Sequence, residues 1–394
     1  MSDWIENLIE SPGFCTRPFF HGYVTQLGHA VACCNNLEVK YGNINETSFN
    51  QVYSKENEVL INFRKQFLNS DKLPETCKRC FDPNNDHYRR THIRETTRIL
   101  KKYKSPEDLL YNDNLYTYDV RFSNLCNIMC VYCGPSSSSR FAYHKKEFDR
   151  NRISMTVTES NRKQFLDRFE TSIQDVVSFY FAGGEPMIMP EHYDILELCL
   201  KYNKRHIKLE YNSNLTKLGL KDKSVIDYWK KFNYVCVGAS IDAGWRPFEF
   251  IRVGAKWNKV VNNLAEIRKL THVSITLTPT FAFWNMEHFP EVYKYLVENN
   301  LIDRQYGHFG SDILDHEHFR PGVLPEEYKN YIRELYATEY KDYPELLPIL
   351  RHLDEDLTHL LDEAKIEAEE LAKKNRIDLY DSFPNMKEIF KNVE

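Results

Sequence analysis

The sequence has little of what marks membrane, secreted or nucleic-acid-binding proteins. Its 394 residues carry a formal net charge of only −5, so the basic surface of a dedicated nucleic-acid binder is missing. The longest apolar runs, such as residues 235–239, are far shorter than the roughly 20 residues that a membrane-spanning helix needs. No basic segment followed by an apolar stretch stands at the beginning, which predicts no secretory signal. We therefore expect a cytoplasmic protein with neither a membrane nor a nucleic acid as a partner.

Cysteine, in contrast, is plentiful, with ten residues in the chain. In a reducing compartment, clustered cysteines are more often metal ligands than disulfides. Two of the ten, Cys199 and Cys236, stand alone in apolar segments and are expected to be small buried hydrophobic residues. Seven of the others fall into two groups, which are the candidate metal sites. No cysteine follows Cys236, so a cysteine-ligated site near the C-terminal end is excluded.

The residue pattern changes near residue 115. Before it, two short strands are predicted at 19–26 and 31–34, and a helix at 45–69. After it, six strand candidates alternate with helix candidates, and this alternation is typical of a parallel sheet with right-handed crossovers. The strand candidates are 116–122, 176–181, 207–211, 234–241, 273–279 and 305–309.

These patterns predict an α/β protein of three parts. Six strand–helix units favour a partial (β/α)6 barrel at 111–314 over a closed eight-fold one. An α+β region at 1–110 precedes it, and a helical extension at 315–394 follows, with apolar residues at helical spacing on an acidic background.

The strongest motif is Cys126-x3-Cys130-x2-Cys133, directly after the first barrel strand. Three thiolates within eight residues of one loop can point at one centre, and iron–sulfur clusters take thiolate ligands. Three cysteines leave one iron of a four-iron cluster without a protein ligand. A structural zinc site normally has a fourth protein ligand.

This motif resembles the signature of the radical S-adenosylmethionine (SAM) superfamily. The resemblance implies a [4Fe–4S] cluster on Cys126, Cys130 and Cys133 whose open iron binds SAM. Reductive cleavage of SAM then gives a 5′-deoxyadenosyl radical. Tyr132 matches the aromatic position near the adenine in this family.

Later strand ends carry further motifs that resemble the same superfamily. After the second barrel strand come Gly183, Gly184, Glu185 and Pro186. Tandem glycines let the backbone approach a ligand closely, and in the family this segment receives the SAM ammonium group. Asn212 and Asn214 end the third strand, where small polar side chains are placed to contact a ligand. Ordinary helix capping is the alternative interpretation of these two asparagines.

The fourth barrel strand ends in Ser240 and Asp242, and Arg252 stands twelve residues after Ser240. This order is similar to the SPASM/twitch branch of the superfamily, in which the serine and the arginine contact the SAM carboxylate. An arginine fork suits a carboxylate. Asp242 is predicted to bind ribose or substrate, or only to cap a turn. Thr280 and Asn285 follow the fifth strand, where this branch often lines the active site.

A second cysteine group, Cys15-x17-Cys33-x43-Cys77-x2-Cys80, precedes the barrel. Four cysteines can close a structural zinc site or ligate an auxiliary [4Fe–4S] cluster completely. The Gly28-x4-Cys33 spacing resembles the opening of SPASM and twitch domains, which favours the cluster. The resemblance departs from the branch in order, because its twitch domain follows the barrel. Cys34 is the alternative to Cys33, since adjacent strand residues face opposite sides and only one can point inward.

The resemblance implies a radical SAM enzyme that abstracts hydrogen from a substrate. A completely ligated auxiliary cluster suits electron transfer, which favours a two-electron oxidation of a small molecule. Modification of a peptide and a non-catalytic iron–sulfur electron carrier are the alternatives. The expected partners are a small-molecule or peptide substrate and a reducing electron donor such as flavodoxin or ferredoxin. No catalytic acid or base can be assigned.

Overall fold

The structure, a computed structural model, describes residues 3–68, 74–81, 86–121, 123–145, 159–305, 309, 314 and 316–391. Up to residue 116 the described chain alternates short helices with a strand meander. The strands are β1 (His21–Val24), β2 (His29–Cys33) and β3 (Asn36–Asn43). The helices are α1 (Asp3–Glu10), α2 (Arg17–Phe20), α3 (Phe49–Val52), α4 (Glu58–Leu68), α5 (Lys78–Phe81), α6 (Asp86–Leu100) and α7 (Pro106–Leu110). A 3-10 turn at Glu75–Cys77 leads directly into α5.

From residue 117 strands and helices alternate. The strands are β4 (Thr117–Val120), β5 (Met129–Cys130), β6 (Ser178–Phe181), β7 (Lys208–Ser213), β8 (Gly219–Leu220), β9 (Lys223–Ser224), β10 (Tyr234–Ala239), β11 (Arg252–Val253) and β12 (Val273–Leu277). The helices are α8 (Ser139–Lys145), α9 (Glu159–Ser172), α10 (Pro190–Lys201), α11 (Val225–Trp229), α12 (Trp245–Ile251), α13 (Trp257–Arg268) and α14 (Phe289–Glu298).

The C-terminal part is helical, as predicted. Its α-helices are α15 (Glu326–Thr338), α16 (Leu361–Asn375), α17 (Leu379–Ser382) and α18 (Met386–Ile389), and 3-10 segments lie at Glu317–Phe319, Pro321–Val323, Pro344–Leu353 and Thr358–Leu360. Across the described residues, every helix is too short or too polar to cross a membrane.

Contacts divide the chain into two compact units. The first unit comprises Met1–Leu125, Asp149–Glu210 and Lys231–Tyr234, and the second comprises Cys126–Phe148, Tyr211–Lys230 and Val235–Glu394. Each unit combines discontinuous segments, because the chain passes back and forth between them. The domain boundaries predicted at 110/111 and 314/315 remain predictions.

In the first unit, the strands are ordered β6–β4–β1–β2–β3. β4 pairs in parallel with β6, and β1 pairs in parallel with β4, with His21 opposite Thr117. β1, β2 and β3 form an antiparallel meander, with register irregularities between β2 and β3. The N-terminal meander therefore continues the sheet of the first barrel strands, which the sequence did not predict.

A buried arginine fixes the entry into this sheet. Arg64 on α4 is completely buried, and its guanidinium donates to four main-chain carbonyls, those of Pro18, Phe19, Leu110 and Asn112. The core of this unit also packs aromatic rings against each other at tilted angles, such as Phe49 against Phe165 with ring centroids 4.4 Å apart. The five donors of one guanidinium thus replace several separate capping groups.

The helix predicted at 45–69 is divided into α3 and α4, so the prediction of one continuous helix was wrong. Ser48 caps α3 in a capping box with Gln51. The side chain of Asn57 then accepts from the main-chain N–H groups of Val59 and Leu60 at the start of α4. Because both residues favour a helix N-terminus, a second helix begins where the apolar stripe suggested continuity.

In the second unit, β10 pairs in parallel with β12, and β5 pairs antiparallel with β11. Five of the six predicted barrel strands correspond to β4, β6, β7, β10 and β12. The sixth was predicted at 305–309. Residues 306–308 lie outside the described part, while 305 and 309 are not in a strand.

Side chains satisfy the edge of β12 there. Asp303 accepts from the main-chain N–H of Ile275 at 2.8 Å, and Gln305 accepts from that of Leu277 at 3.1 Å. The α/β class and the mostly parallel arrangement of the barrel strands are confirmed.

Candidate functional site

The three cysteines of the first motif lie in a loop around β5, in the second unit. Cys126, Cys130 and Cys133 are all half-buried. The main-chain N–H of Cys126 donates to Ser139 Oγ at 3.2 Å, which attaches the start of the loop to α8. The N–H of Cys133 donates to the carbonyl of Cys130 at 3.0 Å, so the loop ends in a tight turn. All three thiols thus belong to one short, hydrogen-bonded segment.

Arg252 stands directly opposite Cys130 in the β5–β11 pair. Its Nη1 lies 3.7 Å from the Cys130 Sγ atom, and its Nη2 lies 2.9 and 2.8 Å from the two carboxylate oxygens of Asp242. Asp242 is completely buried and Arg252 is 6% exposed. Burial lowers the pKa of Arg252, but the charges of Asp242 and Cys130 outweigh it and raise the pKa overall. Arg252 is therefore a permanent buried cation beside the cysteine loop.

Asp242 is held from a second side by the segment after β12. The main-chain N–H of Thr280 donates to Asp242 Oδ1 at 2.8 Å. The side-chain amide of Asn285 donates to the main-chain carbonyls of Asp242 and Thr280, both at 2.9 Å. The structure thus places Asp242 in an ion pair with Arg252. Asp242 therefore contacts Arg252, Thr280 and Asn285, all of which the sequence singled out.

Tyr132 lies next to this pair. Burial raises the pKa of its hydroxyl well above the usual value, and the negative charge of Asp242 raises it further while Arg252 lowers it. The ring is therefore part of the same buried group of charges as the cysteine loop.

Asn214 reaches the first cysteine. Its amide nitrogen lies 3.8 Å from the Cys126 Sγ atom, and its carbonyl oxygen accepts from the main-chain N–H of Thr216 at 2.9 Å. Asn127 donates to the Thr216 hydroxyl at 2.7 Å, so loop and turn are connected. Leu215, between Asn214 and Thr216, adopts a positive φ of 54°, a conformation that non-glycine residues rarely adopt.

Two further candidate residues, Asn212 and Ser240, lie on β7 and directly after β10. Asn212 lies within β7 and not after it, and its side-chain oxygen would be 2.5 Å from a Cβ atom on Gly238. The main-chain N–H of Ser240 donates to the carbonyl of Ser213 at 2.9 Å. The small residue at 238 therefore makes room for the Asn212 amide. Both polar side chains are half-buried.

The glycine-rich segment lies in the first unit, directly after β6. Gly183 has a φ of +105°, which favours glycine, and Gly184 packs so tightly that an added Cβ would lie 2.1 Å from the Leu125 carbonyl oxygen. The main-chain N–H of Glu185 donates to that same oxygen at 2.7 Å. Glu185 is completely buried, and its carboxylate accepts from the N–H of Met187 behind Pro186. This segment therefore fixes the backbone immediately before Cys126.

The four N-terminal cysteines line one pocket of the first unit. Cys15, Cys33, Cys77 and Cys80 all border it, and its empty volume is about 360 Å³ including space open to solvent. Cys34 is exposed, whereas Cys33 is half-buried and lines the pocket.

Two asparagines that the sequence motifs did not indicate donate to these thiols. The amide of Asn36 lies 3.2 Å from the Cys77 Sγ atom, and the amide of Asn35 lies 3.2 Å from the Cys80 Sγ atom. Burial raises the pKa of Cys15 to about 12, and it also raises the pKa of Cys33 and Cys77. Deprotonated cysteines in this pocket therefore need compensating positive charge.

The donor sets suit iron–sulfur clusters. Three thiols in one loop and four around one pocket are the ligand numbers of an open and a closed four-iron cluster, and cluster iron supplies the positive charge that buried thiolates need. In the described part of the chain, no three His, Cys, Asp or Glu side chains converge on a position for one metal ion.

The sequence did not indicate the Asp242–Arg252 pair, the asparagine–thiol contacts or the Asn127–Thr216 contact. The two asparagines directly follow Cys34, and short amides beside a cysteine motif are the one signal that suggests donors to thiolates. The Asp242–Arg252 pair leaves no such trace, because the spacing of ten residues fits no regular element.

Comparisons with known proteins agree with this chemistry. The family model of the radical SAM superfamily matches residues 120–296, and the SPASM model, an iron–sulfur cluster-binding domain, matches residues 15–81. No curated protein matches the chain.

Three solved structures are examples of those that resemble this chain. Native anSMEcpe with bound AdoMet is 20% identical, with 58% of this chain and 61% of that chain covered and a TM-score of 0.39. Streptococcus suis SuiB bound to S-adenosylmethionine is 15% identical, with 66% and 61% covered and a TM-score of 0.38. TYW1 with a lysine–pyruvate adduct is 14% identical, with 57% and 71% covered and a TM-score of 0.27. The chain spans about three fifths of the length of the first two.

The matched domains confirm the expected cofactors, which are a [4Fe–4S] cluster with SAM for the barrel and an iron–sulfur cluster for the N-terminal region. The zinc interpretation of the N-terminal cysteines is thereby disfavoured. Residues 120–296 thus match the radical SAM superfamily, and the SPASM-type iron–sulfur domain matched at residues 15–81 precedes them.

Proposed function

We propose that this chain is a radical SAM enzyme that catalyses a two-electron oxidation of its substrate with the help of an auxiliary [4Fe–4S] cluster. The observation that carries the proposal is the loop of three half-buried cysteines, with the buried cation Arg252 3.7 Å from Cys130. A cation fixed beside the ligands of an open cluster suits an anionic group of a bound cofactor. The SAM carboxylate is such a group.

The proposed SAM contacts are the residues for which the family resemblance implies them. Arg252 and Ser240 would bind the carboxylate, and Tyr132 would lie near the adenine. Asn212 at the end of β7 and Asn214 directly after it would also contact SAM. The segment of Gly183, Gly184, Glu185 and Pro186 would receive the ammonium group. Asp242 would act through Arg252, since the ion pair already occupies its carboxylate.

When bound, the first cluster and SAM supply a 5′-deoxyadenosyl radical that removes a hydrogen atom from the substrate. The remaining electron of the oxidation leaves the substrate radical together with a proton. Cys15, Cys33, Cys77 and Cys80 would hold the auxiliary cluster that accepts this electron, because four cysteines leave no open iron for substrate. A flavodoxin or ferredoxin would supply the electron that cleaves SAM.

The first test counts iron and acid-labile sulfide per chain after anaerobic reconstitution. We expect about eight irons in the wild type and about four after replacement of Cys126, Cys130 and Cys133 by alanine, as two four-iron clusters require. Cys33→Ser should also leave about four, whereas the matched variant Cys34→Ser should keep about eight, because Cys34 is exposed. About four irons in the wild type, together with zinc, would refute the auxiliary cluster.

The second test measures 5′-deoxyadenosine formed from SAM under dithionite. The wild type should form it, and Arg252→Gln should raise the SAM concentration needed for half-maximal formation, because one carboxylate contact is lost. A non-catalytic electron carrier would form no 5′-deoxyadenosine at any SAM concentration, and that result would overturn the proposed function.

A further inference from the structure

Arg17 lies two residues after Cys15 and lines the same pocket as the four N-terminal cysteines. Its guanidinium is fixed between two histidines. Nη1 lies 2.5 and 2.9 Å from the two ring nitrogens of His21, and Nη2 lies 2.7 and 2.9 Å from those of His92. His21 is in turn anchored on the first barrel strand, since its Nδ1 lies 2.8 Å from the hydroxyl of Thr117.

The two histidines hold the guanidinium without adding charge. A guanidinium has five N–H donors and no acceptor, and each of its two terminal nitrogens lies against one imidazole ring. Burial and the charge of Arg17 lower the pKa of His21 well below its usual value, and they lower the pKa of His92 to about 4. Arg17 is therefore the charged member of this trio at neutral pH.

The Nε–H donor of Arg17 is available to the pocket. Its Nε atom is buried and has no hydrogen-bond partner among the described residues. Burial raises the pKa of Cys15 and Cys33, and the charge of Arg17 partly offsets this rise, so it acts on the thiols of the pocket. Arg89 also lines the pocket, but its guanidinium donates to the main-chain carbonyls of Ser11 and Phe14.

We propose that Arg17 is a positioning residue for electron transfer, which donates its Nε–H to the auxiliary cluster and raises the reduction potential of that cluster. This inference rests on the proposed function, because it needs an iron–sulfur cluster on the N-terminal cysteines. Reduction adds one negative charge to a cluster, and a fixed cation with an N–H donor stabilises the reduced form. The residue thereby makes the cluster a better acceptor for the electron of the substrate radical.

The two histidines fix the position of the Arg17 guanidinium. Because His21 and His92 each take one end of the guanidinium fork, the side chain cannot turn its charge away toward solvent. Lysine would keep the charge, but it lacks the fork that bonds two rings at once. Charge and position can therefore be separated by substitution.

The test is an anaerobic redox titration followed by electron paramagnetic resonance. The parent carries alanine at Cys126, Cys130 and Cys133, so that the auxiliary cluster alone contributes the signal. Arg17→Gln in this parent should lower the equilibrium constant for cluster reduction at least tenfold, which is about 59 mV for a one-electron couple. Arg98→Gln, at an exposed position of α6, is the matched control for lost charge and should leave the potential unchanged.

Two milder variants keep the test decisive if Arg17→Gln fails to hold iron. Arg17→Lys and His92→Asn should each lower the potential by less than Arg17→Gln, because one weakens the donor and the other frees the fork. A full iron content in the variants with a potential equal to that of the Arg98→Gln control would overturn the role of Arg17. A parent without iron would instead refute the auxiliary cluster and with it the proposed function.

Discussion

Replacing Asp242 by asparagine removes the negative partner of Arg252 while keeping the shape of the side chain. Asp242 is completely buried and Arg252 is 6% exposed, so the arginine charge would stay buried without compensation. Removal of one partner from a buried pair typically costs about 3–5 kcal/mol. The asparagine oxygen can still accept from Thr280, so we expect a loss near the lower end, about 3 kcal/mol.

Urea unfolding followed by tryptophan fluorescence would measure this loss. Four of the five tryptophans lie in the second unit with the ion pair, and they are Trp229, Trp245, Trp257 and Trp284. The matched control is Asp227→Asn, whose partner Lys230 lies 2.9 Å away with side chains 66% and 56% exposed. An exposed pair of this kind contributes about 0–1 kcal/mol.

A double-mutant cycle with Arg252→Gln then isolates the interaction. Removal of both charges should leave the protein more stable than the sum of the two single losses predicts, with a coupling energy of about 2–3 kcal/mol. The reasoning fails if Asp242→Asn costs no more than Asp227→Asn, or if the two single losses simply add.

Three further substitutions test other parts of the structure. Gly184→Ala should reduce SAM binding at least tenfold in equilibrium dialysis, because its Cβ would lie 2.1 Å from a main-chain oxygen. Gly134→Ala, whose Cβ would have the Ser136 hydroxyl as its nearest contact at 3.8 Å, should bind normally. Arg64→Leu should lower the free energy of unfolding by at least about 3 kcal/mol, because four buried carbonyls lose their donor; an effect no larger than that of the exposed Lys65→Leu would contradict this. Burial lowers the pKa of His192 to about 3, so the unfolded chain binds a proton that the folded chain does not, and stability falls as the pH falls below about 6.5. Between pH 6.5 and 5 the His192→Phe variant should lose less unfolding free energy than the wild type, by up to about 2 kcal/mol. An equal loss in the two proteins, measured by urea unfolding at each pH, would refute this.

Local spacing allowed the sequence to predict the chemistry of this protein well. The Cys126 loop, the glycine segment after β6 and the strand–helix alternation are short patterns whose geometry is contained in a few residues. The choice of Cys33 over Cys34 agrees with the pocket, because residue alternation on a strand is also local. The matched family models confirm the two cluster-binding domains.

The features that the sequence did not predict depend on contacts between distant segments. No sequence periodicity relates the side chains that form these contacts. The contacts are the ion pair of Asp242 and Arg252, the donors on Asn35 and Asn36, and the two histidines that hold Arg17. The strand predicted at 305–309 failed at residue 305 for a similar reason, since the Gln305 side chain accepts from Leu277 where a strand would offer its main chain. Residue propensities and hydrophobic patterns do not predict which side chain will serve as a hydrogen-bond partner for a distant segment.

The parallel ladder between β1 and β4 has a consequence for biosynthesis. It joins His21 to Thr117, residues 96 positions apart, so a large loop must close before the ladder can form. The N-terminal cysteines leave the ribosome well before β4 does, and until β4 arrives β1 presents an unpaired edge that invites association with other chains. The nascent chain therefore passes through a window in which its iron-binding thiols are present but their scaffold is incomplete. Expression of the first 110 residues alone would hold the polypeptide in that window, and production of the full-length chain with cluster-assembly factors is the better route to iron-loaded protein.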